Sequence, residues 1–204
     1  MNRKRVNWVW LLAVMMLLPI MQGCIGMTSV SGGPISGQVL EDSSGKPVVG
    51  AIVLGLWQGD AGYGTTVCIH VESAITDAEG RYHIPAWKKS HMYSVSSRRP
   101  FYKLTYKAGY QEAQAIGKNA EFESLVLDTN SREQRLQNLL GVSPKCGSGD
   151  ESEKNQIPLL RAVYEEAQSL AKTKEDKKVL DLLLFDLEII ELGYKAAEKR
   201  YVER

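Results

Sequence analysis

His70, Glu72 and His83 are the residues of this chain best suited to holding a metal, with Cys68 two positions ahead of the first. Imidazole and carboxylate suit zinc or copper. If the strand ending at Thr76 turns over Asp77–Gly80 and returns antiparallel, Thr76 lies opposite Arg81 and Ala74 opposite His83. The strand period of two then puts Cys68, His70, Glu72 and His83 on one face. Ligands must approach one ion to about 2 Å, and a one-residue change of register scatters the set. The alternative is a polar sheet face on which His70, Glu72 and His83 are simply solvated. The first reading implies a metal-binding or metal-assisted enzyme, the second a chain without catalytic chemistry.

A second set mixes cations with rings: Lys88, Lys89, His91, Arg98, Arg99, Phe101, Tyr102, Tyr106 and Lys107. Such a mixture suits an acidic glycan, lipopolysaccharide phosphates or the acidic face of a partner protein. The alternating Tyr102, Leu104 and Tyr106 are equally those of a strand laying one face on a core. Nucleophilic catalysis finds no candidate. There is no Gly-x-Ser-x-Gly elbow, and the three histidines share one segment without an evident partner set. Gly59, Gly62 and Gly64 lack the Lys-Ser/Thr ending and following helix of a phosphate-binding loop, so they read as a connection. No cofactor is implied.

The elements that must position these residues are short strands. Thr76 to Trp87 reads as a strand end, an acidic turn closed by Gly80 and a return strand with Tyr82 and Ile84 on one face. Before it come a strand at Ile35–Glu41, a turn cluster at Asp42–Pro47 and a continuous apolar strand at Val48–Trp57. Further strands are expected at about 67–76, 81–86, 92–97, 102–108 and 121–127. This spacing argues a sandwich over a βαβ sheet.

Gly37-Gln38-Val39, Gly45-Lys46-Pro47-Val48-Val49-Gly50-Ala51-Ile52-Val53, Thr76-Asp77-Ala78-Glu79-Gly80-Arg81-Tyr82 and Lys107-Ala108-Gly109-Tyr110 together resemble the carboxypeptidase regulatory-like domain. The resemblance spans about residues 33–127 and departs at the Gly-rich stretch 58–66 and at Lys88-Lys89-Ser90-His91. It implies a transthyretin-like, seven-stranded β-sandwich. It also implies a non-catalytic module serving other proteins, and it transfers no catalytic residue.

Residues 1–23 carry an address. Arg3, Lys4 and Arg5 precede an apolar run from Val6 to Met21, too short and wrongly flanked for a settled transmembrane helix. Met21-Gln22-Gly23-Cys24 resembles the lipobox of bacterial lipoproteins, which implies lipidation of Cys24. The other readings are an ordinary cleaved signal or an uncleaved anchor. Ile25 after the cysteine implies the outer membrane, with the protein facing the periplasm. Several acyl chains hold stably where one is marginal. Without Arg3, Lys4 and Arg5 the 25 basic residues fall to 22 against 24 acidic ones, a net charge of −2. No basic stripe suited to nucleic acid remains. In an oxidising compartment Cys68 and Cys146 are expected to pair as a disulfide, the alternative being one buried and one exposed thiol.

Residues 24–33 read as a tether, 34–127 as the β-sandwich and 128–204 as a helical region with a Cys-containing loop. Helices are expected at Ser131–Leu140, from Pro158 to about Lys172, and from Lys174 to about Tyr201. In the last, Leu180, Leu183, Leu187, Ile190, Tyr194, Ala197 and Tyr201 form a seam, widened by Leu182, Phe185 and Ile189. That stripe serves either a partner, through Leu183 and Ile190, or an intramolecular helical hairpin. The expected class is mainly β with α. The expected function is that of a non-enzymatic, lipid-anchored envelope protein acting as a structural module or binding a protein or glycan.

Overall fold

The computed structural model describes residues 28–60, 66–91, 101–112, 122–144, 146–147 and 151–203. The lipobox-like segment with Cys24, the expected strand at 92–97 and Arg98 and Arg99 lie outside them. The architecture is mixed β with α: nine strands in three sheets and four α-helices, counted among the described residues.

The strand β3 (Ile52–Asp60) is central to a three-stranded sheet, between β4 (Thr66–Ile75) and β7 (Phe101–Tyr106). Both neighbours are antiparallel, with Ile52 paired to Ile75 on one side and to Tyr106 on the other. Its near-continuous apolar sequence follows from burial on both faces. Ile52, Leu54 and Leu56 join a core shared with the helices, while Val53 joins a second core shared with another sheet.

That second, four-stranded sheet has the order β5 (Arg81–Ile84), β2 (Ile35–Glu41), β9 (Phe122–Leu127), β8 (Tyr110–Glu112). The β2–β9 pair is parallel and the others antiparallel. Val39, Val48, Ala51, Val53, Tyr82, Ile84 and Leu125 fill the space between it and β3. Gly37 makes room for the Tyr82 ring: a Cβ there would lie 2.6 Å from the phenolic oxygen.

The turn after Thr76 has the expected chemistry but joins other partners. Asp77 Oδ1 accepts from the amides of Glu79 (3.0 Å) and Arg81 (2.7 Å). Gly80 takes φ 72°, and a Cβ there would lie 2.6 Å from Val39 O, so glycine is required. The chain nevertheless passes from one sheet to the other here. β4 pairs with β3, and β5 pairs with β2, placing Ile84 opposite Ile35 and His83 opposite Ser36. The expected Thr76–Arg81 hairpin pairing is therefore replaced by a crossing, because Tyr82 and Ile84 bury themselves against β2 and its neighbours.

The expected tether also changes. β1 (Thr28–Gly32) pairs antiparallel with β6 (Trp87–His91), so the presumed spacer and the basic link together form a two-stranded ribbon. Trp57 and Trp87 meet edge-on at 5.3 Å between ring centroids, and a Cβ on Gly32 would collide with both indoles. The ribbon is thereby stacked on β3.

The helices α1 (Arg132–Leu139), α2 (Ile157–Leu170) and α3 (Lys174–Leu192) cover the other face of the three-stranded sheet through Leu136, Leu139, Leu159, Val163, Ala167, Val179 and Leu183. Ser131 caps α1 by accepting from Gln134 N at 3.2 Å. Thr173 and Asp176 form a capping box on α3. The expected single last helix is two. Gly193, at φ 86° and ψ 154°, ends α3, and α4 (Tyr194–Val202) follows, packing Tyr201 on Phe185 at 5.1 Å. Leu183 is 2% exposed inside the molecule's own core, which removes it as a partner-binding residue, and Ile190 is half-buried. No helix among the described residues is long and apolar enough to cross a membrane.

Cys68 on β4 meets Cys146, their Cα atoms 5.3 Å apart and so within disulfide reach. The pairing holds a 3₁₀ turn (Glu151–Gln156) along the outer edge of β4. There Ser152 Oγ accepts from Val71 N at 3.3 Å and Asn155 Nδ2 donates to Val71 O at 2.9 Å. Side chains thus take the place of a missing neighbour strand on an edge that would otherwise be open.

Candidate binding groove

The proposed metal ligands are dispersed. His70 Nε2 lies 3.0 Å from Glu72 Oε1, and the ring stacks on Trp87 with centroids 4.1 Å apart. Burial, opposed by Glu72, lowers its pKa, so the neutral form is favoured. Glu72 also accepts from Asn155 Nδ2 at 3.2 Å. Cys68 is taken by Cys146. His83 sits in the other sheet with Nδ1 2.7 Å from Ser36 Oγ, because β5 pairs with β2 and not with β4. Among the described residues no group of three or more His, Cys, Asp or Glu is placed to hold a metal ion.

The basic and aromatic set is divided as well. Lys88 and Lys89 belong to β6, where Lys89 Nζ donates to Ile69 O at 2.8 Å. Phe101 packs on Trp57, with centroids 5.1 Å apart. Tyr102 and Tyr106 face the helices from β7. The cause is topological: β6 pairs with β1 and β7 with β3, so neighbours in sequence leave for different sheets.

Tyr102 and Tyr106 instead line a groove of about 540 Å³ between β7 and α1. Leu104 and Tyr106 lie along it on β7, and Tyr110 and Gln111 enter from β8. The last turn of α1 and the residues after it add Gln137, Asn138, Gly141 and Val142. Tyr102 is 54% exposed and offers its ring to whatever occupies the groove. The side chains of Gln137 and Asn138 have no hydrogen-bond partner among the described residues.

Beneath the groove lies a buried ionic cluster that no local sequence motif marks. Arg135 forks onto Glu166 with Nε–Oε1 at 3.0 Å and Nη2–Oε2 at 2.9 Å, and its Nη1 reaches Asp128 at 2.9 Å. The Tyr106 hydroxyl donates to Glu166 Oε2 at 2.5 Å, and Gly109 N donates to Oε1 at 3.0 Å. The three charged side chains are 9%, 4% and 8% exposed. Burial would raise the Glu166 pKa, but the Arg135 guanidinium and the Tyr106 hydroxyl outweigh it and hold it below the ordinary carboxylate value. Burial first, and then the Glu166 carboxylate, push the Tyr106 phenol well above its usual pKa. One signal was available in the sequence: Arg135 sits beside Leu136 and one turn before Leu139, on the apolar stripe of its helix.

A like arrangement joins the sheets. The Tyr82 hydroxyl donates to Glu123 Oε1 at 2.5 Å, Lys103 Nζ lies 2.5 Å from the same oxygen, and Thr105 donates to Oε2. A second cavity of about 610 Å³ opens on the flank where β4 and β5 part, lined by Ser36, Ile75, Asp77, Arg81 and His83 among others. Its polar side chains are largely spoken for, Ser36 by His83 and Asp77 by two amides. In the groove beside α1 the Gln137 and Asn138 side chains stay open among the described residues, while Gln111 Oε1 accepts from Asn130 Nδ2 at 3.5 Å. Comparison with family models, with curated proteins and with solved structures returns no match for this chain.

Proposed function

We propose that the chain is a non-enzymatic, lipid-anchored protein of the bacterial cell envelope. It acts as a binding module from the periplasmic face of the outer membrane. The observation that carries this reading is the groove between β7 and α1, built jointly by the β region and the helical layer. Its open side chains are amides and phenols, while the acids and bases around it are tied to one another. Such a surface is fitted to hold a ligand and poorly fitted to move protons.

The β region is assigned to the carboxypeptidase regulatory-like family, with a transthyretin-like sandwich. Support comes from the four motifs quoted above and from the four-stranded and three-stranded sheets, which number seven strands and share a core through Val53 and Ala74 on one side and Val39, Tyr82, Ile84 and Leu125 on the other. Anchoring rests on Met21-Gln22-Gly23-Cys24. Two measurements on cells making the full chain test the proposal. Labelled palmitate should enter the protein and be lost in Cys24→Ser. A photo-crosslinking residue at position 138 should capture an envelope component, while one at position 75, on the flank, should not. Absence of label ends the anchoring, and equal capture from both positions ends the assignment of the groove.

A further inference from the structure

We infer that the groove between β7 and α1 binds a neutral saccharide, an inference that rests on the binding-module reading and names the ligand class. Three properties of the lining converge. The first is the half-exposed face of Tyr102, with Leu104 and Val142 half-buried nearby. A sugar ring presents an apolar face of C–H groups, and an aromatic platform buries that face without demanding hydrogen bonds.

The second is the set Gln137, Asn138 and Gln111, the last with its Oε1 already accepting from Asn130 Nδ2 at 3.5 Å. Each amide carries both a donor and an acceptor. A hydroxyl is also both at once, so paired amides satisfy a polyol from either side. A wholly apolar ligand would strand these amides away from water, which is costly.

The third is charge. Arg135 is the one charged residue lining the groove among the described residues, and Asp128 and Glu166 already answer it with two carboxylates. An anion approaching the guanidinium meets those carboxylates behind it. The ligand is therefore no anion, in contrast to the acidic glycan suggested by the basic residues of the sequence, and with no carboxylate among the described residues lining the groove a cation finds no partner there either. The volume lies within the range of about 300–1,000 Å³ usual for small-ligand sites.

The test is calorimetric titration of the detergent-solubilised full chain with neutral tetrasaccharides of glucose, mannose and N-acetylglucosamine, and with polygalacturonate as the anionic counterpart. At least one neutral tetrasaccharide should saturate with Kd between roughly 10 μM and 1 mM. Tyr102→Ala should weaken it by about tenfold or more, and Tyr102→Phe should retain it, since the ring and not the hydroxyl is the platform. Asn138→Leu should weaken it without changing the melting temperature. The inference is overturned if no neutral tetrasaccharide saturates, if Tyr102→Ala binds as the wild type does, or if polygalacturonate binds more tightly. If the sugars fail while the position-138 crosslink persists, the saccharide is wrong and the groove still serves another ligand. If the crosslink fails too, the binding-module reading falls with it.

Discussion

At the scale of single residues, Arg135 holds the molecule's most demanding position. It carries a charge into a nearly buried position at the floor of the groove and meets Glu166 there in a bidentate contact and Asp128 in a single one. Removing it leaves two carboxylates buried without a counter-charge. Arg135→Ala should therefore cost about 3–5 kcal/mol in urea denaturation, far more than the loss of an exposed ion pair. Glu166 makes the same cluster pH-dependent. Its pKa is depressed in the folded state from an ordinary value of 4.5. The unfolded chain therefore takes up the proton first as pH falls, and the stability contributed by Glu166 is present above about pH 4.5 and lost as pH drops through the folded pKa. Glu166→Gln should be less stable at pH 7 but should show a shallower loss between pH 5 and 3, read from thermal melts. None of these three partners was legible as a set in the sequence, because Asp128, Arg135 and Glu166 come from separate segments that only the packing of α1 and α2 on β7 unites.

At the scale of elements, the edge of β4 and the break at Gly193 decide how far the chain agrees with its own periodicities. The pairing of Cys68 with Cys146 closes a separation of 78 residues and keeps Ser152 and Asn155 on the β4 edge. Cys146→Ala should lower stability by about 2–5 kcal/mol. It should also speed hydrogen exchange at Val71 and promote association through the uncovered strand, measured by light scattering. Gly193 takes a backbone region almost closed to other residues. Gly193→Ala should cost about 1–3 kcal/mol and loosen α4 from α3, seen as faster exchange across Tyr194–Val202. The apolar spacing of three and four continues through this glycine into α4, so by periodicity the two helices read as one. Periodicity reports which face is apolar and is blind to a reversal that keeps the face. The turn at Asp77–Gly80 gives the same lesson. Its residues specify the bend, yet a hairpin and a crossing between sheets use the same bend, and the inward faces of Tyr82 and Ile84 choose between them.

At the scale of the whole molecule, the chain is layered: a four-stranded sheet, a three-stranded sheet, and helices, with β3 in the middle serving both cores. Much of this was legible. The strands at about 35–41, 67–76, 81–86, 102–108 and 121–127, the two-faced burial of β3, the capped start of α1 and the Pro158 start of α2 follow from local chemistry, and the pairing of the two cysteines follows from the oxidising compartment that the N-terminal segment implies. The site was not. His70 and Glu72 do lie side by side, but His83 belongs to the other sheet. The proposed binding surface is instead the groove where residues 102–111 meet residues 135–142, a meeting set by tertiary packing and unmarked by any local motif.

We propose this seam as the surface the protein uses in place. Hydroxyl-radical footprinting compares the full chain in intact cells with the same chain purified in detergent and measures it most directly. Tyr102 and Tyr110 should oxidise several-fold more slowly in cells than in the purified protein, while Ile75 on the flank and Val202 on α4 should oxidise alike in both. Equal oxidation of Tyr102 in the two states, with protection falling instead on Ile75, would contradict the claim and move the working surface to the flank between β4 and β5.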